Sequence, residues 1–141
     1  MMERFVKSYN AGTVCNEFIP KPDDIGDGWY DWCIQNWGTK WDIGAGEDGR
    51  YGLKATVVDN EATMSFHSAW SPPIGLYEEL DRLGFMVDAS YFEPGMAYCG
   101  IWHDGDDLYT EYGEDKGLIP VRVWEDYGLD EFFEDEELTS R

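Results

Sequence analysis

Apolar residues along the chain change period several times, and each change marks an element. Phe5, Val6 and Tyr9 recur at helical spacing between Glu3 and Tyr9, and Asn10-Ala11-Gly12 supplies a glycine stop, which predicts a short first helix. The chain then loops through Ile19-Pro20-Lys21-Pro22-Asp23-Asp24 and Gly26-Asp27-Gly28, both rich in breakers. Trp29 to Trp37 reads as a second helix capped by Asp27. Its stripe of Tyr30, Ile34, Trp37 and, past an interruption, Trp41, with Trp29 and Cys33 beside it, predicts that most of these rings press on a sheet. Ile43 to Gly52, with four glycines and two acids, suits an exposed loop.

Beyond it the period becomes two. Leu53 to Val58 and Ala62 to Trp70 flank Asp59-Asn60-Glu61 as a hairpin, and Met64, Phe66, Ser68 and Trp70 alternate with Thr63, Ser65, His67 and Ala69. Ser71-Pro72-Pro73 opens another helix, with Ser71 at the cap, a buried stripe of Ile74, Tyr77, Leu80 and Leu83, and Gly84 at its end. Phe85 to Phe92 and Met96 to His103 read as strands around Glu93-Pro94-Gly95. Asp104-Gly105 is a further turn and Asp107 to Tyr112 an edge strand. Val121-Arg122-Val123-Trp124 alternates like a last strand, and Leu129, Phe132 and Phe133 anchor a docked acidic helix that frays into a tail. This order predicts an α+β sandwich, an antiparallel sheet with helices packed on one face.

Composition sharpens the picture. At 141 residues, 43% hydrophobic and with seven Trp, the chain is long and apolar enough for one domain spanning 1–141 with its own core. Thirty acids stand against ten bases, a net charge of −20, and the imbalance is steepest from Asp104 onward, where 14 acids face 3 bases. The stretch from about 113 to 141 therefore reads as an acidic C-terminal extension. So negative a surface repels nucleic-acid phosphates and anionic lipid, so the expected partner is basic. No apolar run reaches the roughly 18 residues of a membrane span, and Met1 to Asn10 lacks the apolar core of a signal peptide, so a cytoplasmic protein is expected. Cys15, Cys33 and Cys99 are too widely spaced for a zinc site and read as free buried thiols.

Two segments, Trp29-Tyr30-Asp31-Trp32-Cys33-Ile34-Gln35-Asn36-Trp37-Gly38-Thr39-Lys40-Trp41-Asp42 and Phe66-His67-Ser68-Ala69-Trp70-Ser71-Pro72-Pro73, resemble the paired signatures of the YubB-like ferredoxin-like domain family of plasmid, pathogenicity-island and phage proteins. The resemblance covers about Pro20 to Trp102, and the stretch from Glu93-Pro94-Gly95 to Gly100 resembles the family's hairpin before its last strand. It implies a ferredoxin-like fold and a mobile-element origin, and it brings no catalytic residues with it. The family's first strand has little room here, and the acidic segment after His103 lies outside its signature.

The candidate chemistry is sparse. The Trp cluster admits a cationic-ligand pocket, but its spacing favours core, and Lys40 reads as an ion-pair partner of Asp31 or Asp42. His103, Asp104, Asp106 and Asp107 have metal-ligand chemistry but are too few to fill a shell, and His67 accompanies no nucleophile motif. Signatures of nucleotide, acyl-transfer and zinc-hydrolase chemistry are missing, so neither an enzyme nor a cofactor is expected. What stands out is acid spacing. Acids alternating on a strand or one turn apart on a helix lie roughly 5 to 7 Å apart, close to the phosphate repeat of a nucleic acid. Asp104, Asp106, Asp107 and Glu111, with Asp130, Glu131, Glu134 and Glu137, are thus the expected partner-binding surface. The expectation is a non-enzymatic DNA mimic that blocks a basic nucleic-acid-binding complex of host defence, of CRISPR or restriction type, without itself binding nucleic acid or membrane. A small-molecule or metal-binding accessory module is the alternative.

Overall fold

The computed structural model describes residues 1–46, 52–69 and 71–139, with backbone alone for 135–139. It is an α+β protein whose chain divides into two compact units, Met1–Gly84 and Phe85–Arg141. No described helix is long and apolar enough to cross a membrane.

The first unit is mainly helical. Helix α1 (Met2–Ala11) ends where expected, with Gly12 at φ +80 closing the helix through bonds to Ser8 and Tyr9 carbonyls. The predicted loop after it contains a helix, α2 (Val14–Phe18), whose first amides are capped from a distance. Cys15 N–H donates to Asp42 Oδ1 at 2.6 Å and Asn16 N–H to Oδ2 at 2.9 Å, so the nucleating carboxylate stands 26 to 27 residues downstream. Burial pushes the Asp42 carboxyl up, against the amides that favour its charged form.

Helix α3 (Trp29–Asn36) follows a single 3₁₀ turn, and no side chain caps it, so Asp27 does not have the expected role. Nor does its aromatic stripe press on a sheet. α3 packs on α4 (Ile74–Arg82); Cys33 and Trp37 are buried, whereas Tyr30 is 40% and Trp41 50% exposed. Lys40 lies over these two rings, its Nζ 6.0 Å from the Tyr30 centroid and 4.9 Å from that of Trp41. The expected exposed loop after Trp41 also differs: Ile43, Gly44 and Ala45 are buried against the end of α1, with Ala45 N–H donating to Tyr9 O. Residues 47–51 of that loop lie outside the described residues.

Strands β1 (Thr56–Val58) and β2 (Glu61–Thr63) form the predicted hairpin, shorter than its apolar pattern. The pairing resumes at a Gly52–Phe66 bridge one residue out of register, so the first strand holds one extra residue there. Ala62, Met64, Phe66 and Ser68 are half-buried and Glu61, Thr63, Ser65 and His67 exposed, as alternation requires; Trp70 lies outside the described residues. Tyr9 anchors this segment, its hydroxyl 2.7 Å from Leu53 O and 3.1 Å from Ser65 O, and burial raises its pKa to about 12.

The second unit is a three-stranded antiparallel meander of β3 (Asp88–Glu93), β4 (Tyr98–His103) and β5 (Asp106–Glu111), covered on one face by α5 (Val121–Tyr127) and α6 (Leu129–Thr139). The segment read as a last strand is helix α5. Pro120 starts it, its carbonyl accepting from Val123 and Trp124 amides, and Gly128 at φ +58 ends it. Four alternating residues are too few to separate the two periods. Cys99, Tyr112, Ile119, Val123, Leu129 and Phe133 form the core, with Phe92, Ala97, Ile101 and Trp124 packed around it. Residues from 113 onward are therefore no appendage, because they supply four of these six buried side chains.

Candidate acidic interface

The hairpin joining β4 and β5 turns through Asp104 at φ +53 and Gly105 at φ +86, two consecutive left-handed residues that match the twist of the flanking strands. His103 pairs with Asp106, and the register runs through Trp102–Asp107 and Gly100–Tyr109 to Tyr98–Glu111. Strand alternation then sorts the acids. Asp106 shares a face with Cys99, Ile101 and Phe92, the face the helices cover, while Asp107 and Glu111 share the opposite face with Tyr109, Tyr98 and Tyr91.

That opposite face carries a row of phenols across all three strands. Tyr91 and Tyr98 meet edge to face at 6.2 Å, and Tyr98 and Tyr109 are 5.4 Å apart. Gly100 makes the row possible: a Cβ there would lie 2.7 Å from Leu108 O and nearer still to the Tyr91 ring. Tyr91 donates to Asp107 Oδ1 at 2.5 Å and Tyr109 to Glu111 Oε1 at 3.0 Å. Burial, then the adjacent carboxylate, pushes both phenols up, so they remain protonated donors that orient the two acids. The tyrosines escaped sequence reading because only the register aligns them. Their shared parity about the two hairpins was the available signal.

Helix α6 presents the second acidic group. Leu129 and Phe133 are buried, which leaves Asp130, Glu131 and Glu134 exposed. The side chain of Glu137 lies outside the described residues. Because α6 docks on the face carrying Phe92, whose ring meets those of Phe132 and Phe133, its acids lie across the sheet from Asp107 and Glu111. The structure therefore resolves the single expected surface into two.

Four other acids of this unit have partners within it. Arg122 bridges Asp88 and Asp126, Asp126 also accepts from Ser90, Glu93 accepts Gly95 and Met96 amides, and Asp115 accepts from Gly117 N–H. The other described cation, Lys116, places its Nζ 4.2 Å from the Phe133 centroid. Among the described residues, none of Asp104, Asp106, Asp107, Glu111, Asp130, Glu131 and Glu134 has a cation within 4.0 Å. All seven are exposed.

His103 and Asp107 point to opposite faces, and His103 Nδ1 lies 3.4 Å from Asp88 Oδ1. Among the described residues, no three His, Cys, Asp or Glu side chains gather as a metal-binding group. All three cysteines are free and buried, and burial raises the Cys15 thiol well above its ordinary range.

The two signature segments of the first unit meet each other. Thr39 Oγ1 donates to Ala69 O and accepts from its N–H, Lys40 N–H reaches the same carbonyl, Ser71 Oγ donates to Gly38 O, and Gly75 N–H donates to Trp37 O. Ser71 thus ties the segments together where a helix cap was expected, and Trp37 Nε1 donates to Ile19 O at 2.8 Å. These residues build a latch between α3 and α4. Two surface depressions, one at Val58–Thr63 and one between Ile19 and Arg82, are open to solvent. Compared with known proteins, the chain matches no family model, no curated protein and no solved structure.

Proposed function

We propose that this protein is a non-enzymatic, acidic DNA mimic that occupies the nucleic-acid groove of a basic host-defence complex, of the CRISPR-effector or restriction type, in the host cytoplasm. The observation that carries the reading is that seven of the second unit's exposed carboxylates, Asp104, Asp106, Asp107, Glu111, Asp130, Glu131 and Glu134, lie on β5, its turn and α6 with no cation in reach among the described residues. A sequence this acidic has few bases, and here Arg122 is held by Asp88 and Asp126 while Lys116 lies over the Phe133 ring. The outward carboxylates remain available to lysines and arginines of a groove built for phosphate. The resemblance of the Trp-rich segments to a ferredoxin-like family of mobile-element proteins supports the setting and the finer fold assignment.

The test is capture of partners from host-cell extract at low salt. A basic nucleic-acid-binding complex should be retained, released by duplex DNA and released by salt, because screening acts over about 10 Å at 0.1 M. Amide replacement of Asp104, Asp106, Asp107 and Glu111, or of Asp130, Glu131 and Glu134, should weaken capture, whereas amides at Glu3, Asp23, Asp24 and Glu78 should not. Equal loss from all three sets would indicate attraction by total charge, and retention of no basic complex would refute mimicry.

A further inference from the structure

Among the described residues, the meander ends in a strand paired on one side only. β5 is an edge of the sheet, and Leu108 is 60% and Tyr109 52% exposed on it. A two-residue hairpin loop makes His103 and Asp106 a hydrogen-bonded pair, so the amides and carbonyls of Asp106, Leu108 and Thr110 face β4. Tyr112, next in that parity, donates its N–H to Ala97 O at 3.0 Å. Backbone groups of Asp107, Tyr109 and Glu111 therefore face outward, at the same three residues whose side chains form the acid–phenol–acid row. Natural edges are commonly blunted by charged side chains, above all lysine, or by proline or a bulge. Asp106–Glu111 has no lysine or proline and pairs with β4 without a break, and the charges it carries, Asp106, Asp107 and Glu111, are all acidic, which repels another acidic strand and admits a basic one.

We infer that β5 is a docking strand for an extended basic segment of the partner protein, which adds antiparallel to Asp107, Tyr109 and Glu111 and sets lysine or arginine side chains opposite the two acids. Charge selects this occupant. A second copy paired about Tyr109 would set Asp107 against Glu111, and like charges directly opposite one another disfavour pairing. A segment with basic residues four apart matches Asp107 and Glu111, which stand about 13 Å apart along the strand. Between them, Tyr109 continues the phenol row and offers a ring face to an apolar or cationic side chain. The inference rests on the partner being basic, as in the proposed function, and adds the element that recognises it.

The probe is a nine-residue threonine peptide with lysine at its third and seventh positions and valine at its fifth. Amide exchange followed by NMR reads the contact directly. In the free protein the amides of Asp107, Tyr109 and Glu111 should exchange faster than those of Leu108 and Thr110, and peptide should slow the first three selectively. N-methylation of the peptide at its third, fifth and seventh amides, which removes the pairing donors and keeps every charge, should weaken binding about tenfold or more. Methylation at the fourth and sixth should not. Asp107→Asn with Glu111→Gln should weaken binding and flatten its salt dependence, with the phenol row and the ladder to β4 retained. Equal binding by both methylated peptides, binding without protection at the three amides, or no binding at all would each overturn strand addition. The first two outcomes would leave a basic partner for the acidic surface in place, and capture with DNA competition tests that separately. Concentration-dependent dimerisation that protects the same amides would assign β5 to a second copy and overturn the inference as well.

Discussion

Gly75 offers a test in which tertiary contact reverses the sign of a familiar substitution. It lies in the first turn of α4 with an ordinary helical φ, where glycine to alanine normally stabilises by up to about 1 kcal/mol. Here a Cβ would fall 2.7 Å from the Asn36 carbonyl carbon and 2.9 Å from that of Trp37, and closer still to the Asn36 oxygen. Carbon atoms prefer about 3.5 to 4.0 Å, so α3 and α4 would have to part by close to 1 Å. Overpacking of this kind costs about 1 to 3 kcal/mol. The same movement stretches the bond from Gly75 N–H to Trp37 O, now 3.0 Å, worth about 1 kcal/mol more. Offset by the helix-propensity gain of about 1 kcal/mol, those two effects leave Gly75→Ala destabilising by about 1 to 3 kcal/mol. Urea denaturation followed by Trp fluorescence would show a lower midpoint at unchanged slope, with Glu78→Ala, on an exposed position of the same helix, within about 0.5 kcal/mol of wild type. A Gly75→Ala protein as stable as wild type, or more so, would refute the close approach of α3 and α4 at this latch.

Two further outcomes follow from the same packing. Trp37→Ala should cost about 3 to 5 kcal/mol, because the ring is 3% exposed and packs edge to face on Trp32, while Trp37→Phe should cost less and report chiefly the donor lost at Ile19 O; equal denaturation midpoints for wild type and alanine variant would contradict that burial. Arg122, with His103 beside it, holds the Asp88 carboxyl below its ordinary value of 3.8, so the stability it contributes is present above that value and is lost as pH falls through the lower folded one. The gap between wild type and Asp88→Asn in denaturation midpoint should accordingly be widest above about pH 5 and close on acidification, and a gap that widened in acid would overturn the assignment.

What the sequence determined by itself is whatever a few neighbouring residues decide. Glycine after Ala11 stops α1, Asp104-Gly105 makes a tight turn because both residues accept positive φ, and alternation from Ala62 to Ser68 sorts inward from outward side chains. The exposed acids on α6 were legible for the same reason: helical spacing sets Asp130, Glu131 and Glu134 off the stripe of Leu129 and Phe133. What only tertiary structure decided involves partners distant in the chain. Helix α2 was invisible because its cap, Asp42, arrives from beyond α3, and a five-residue helix does not persist without outside support. Val121 to Trp124 became helix once Val123 joined a core with Leu129 and Phe133, burial that a four-residue alternation does not encode. Tyr30 and Trp41 stayed at the surface because α3 met a helix, whose narrow contact buried Cys33 and Trp37 and left the rest of the stripe in water. The phenol row and the division of the acids between two faces depend on register across three strands. Register is a long-range property, set by the hairpins and by which face the helices α5 and α6 cover.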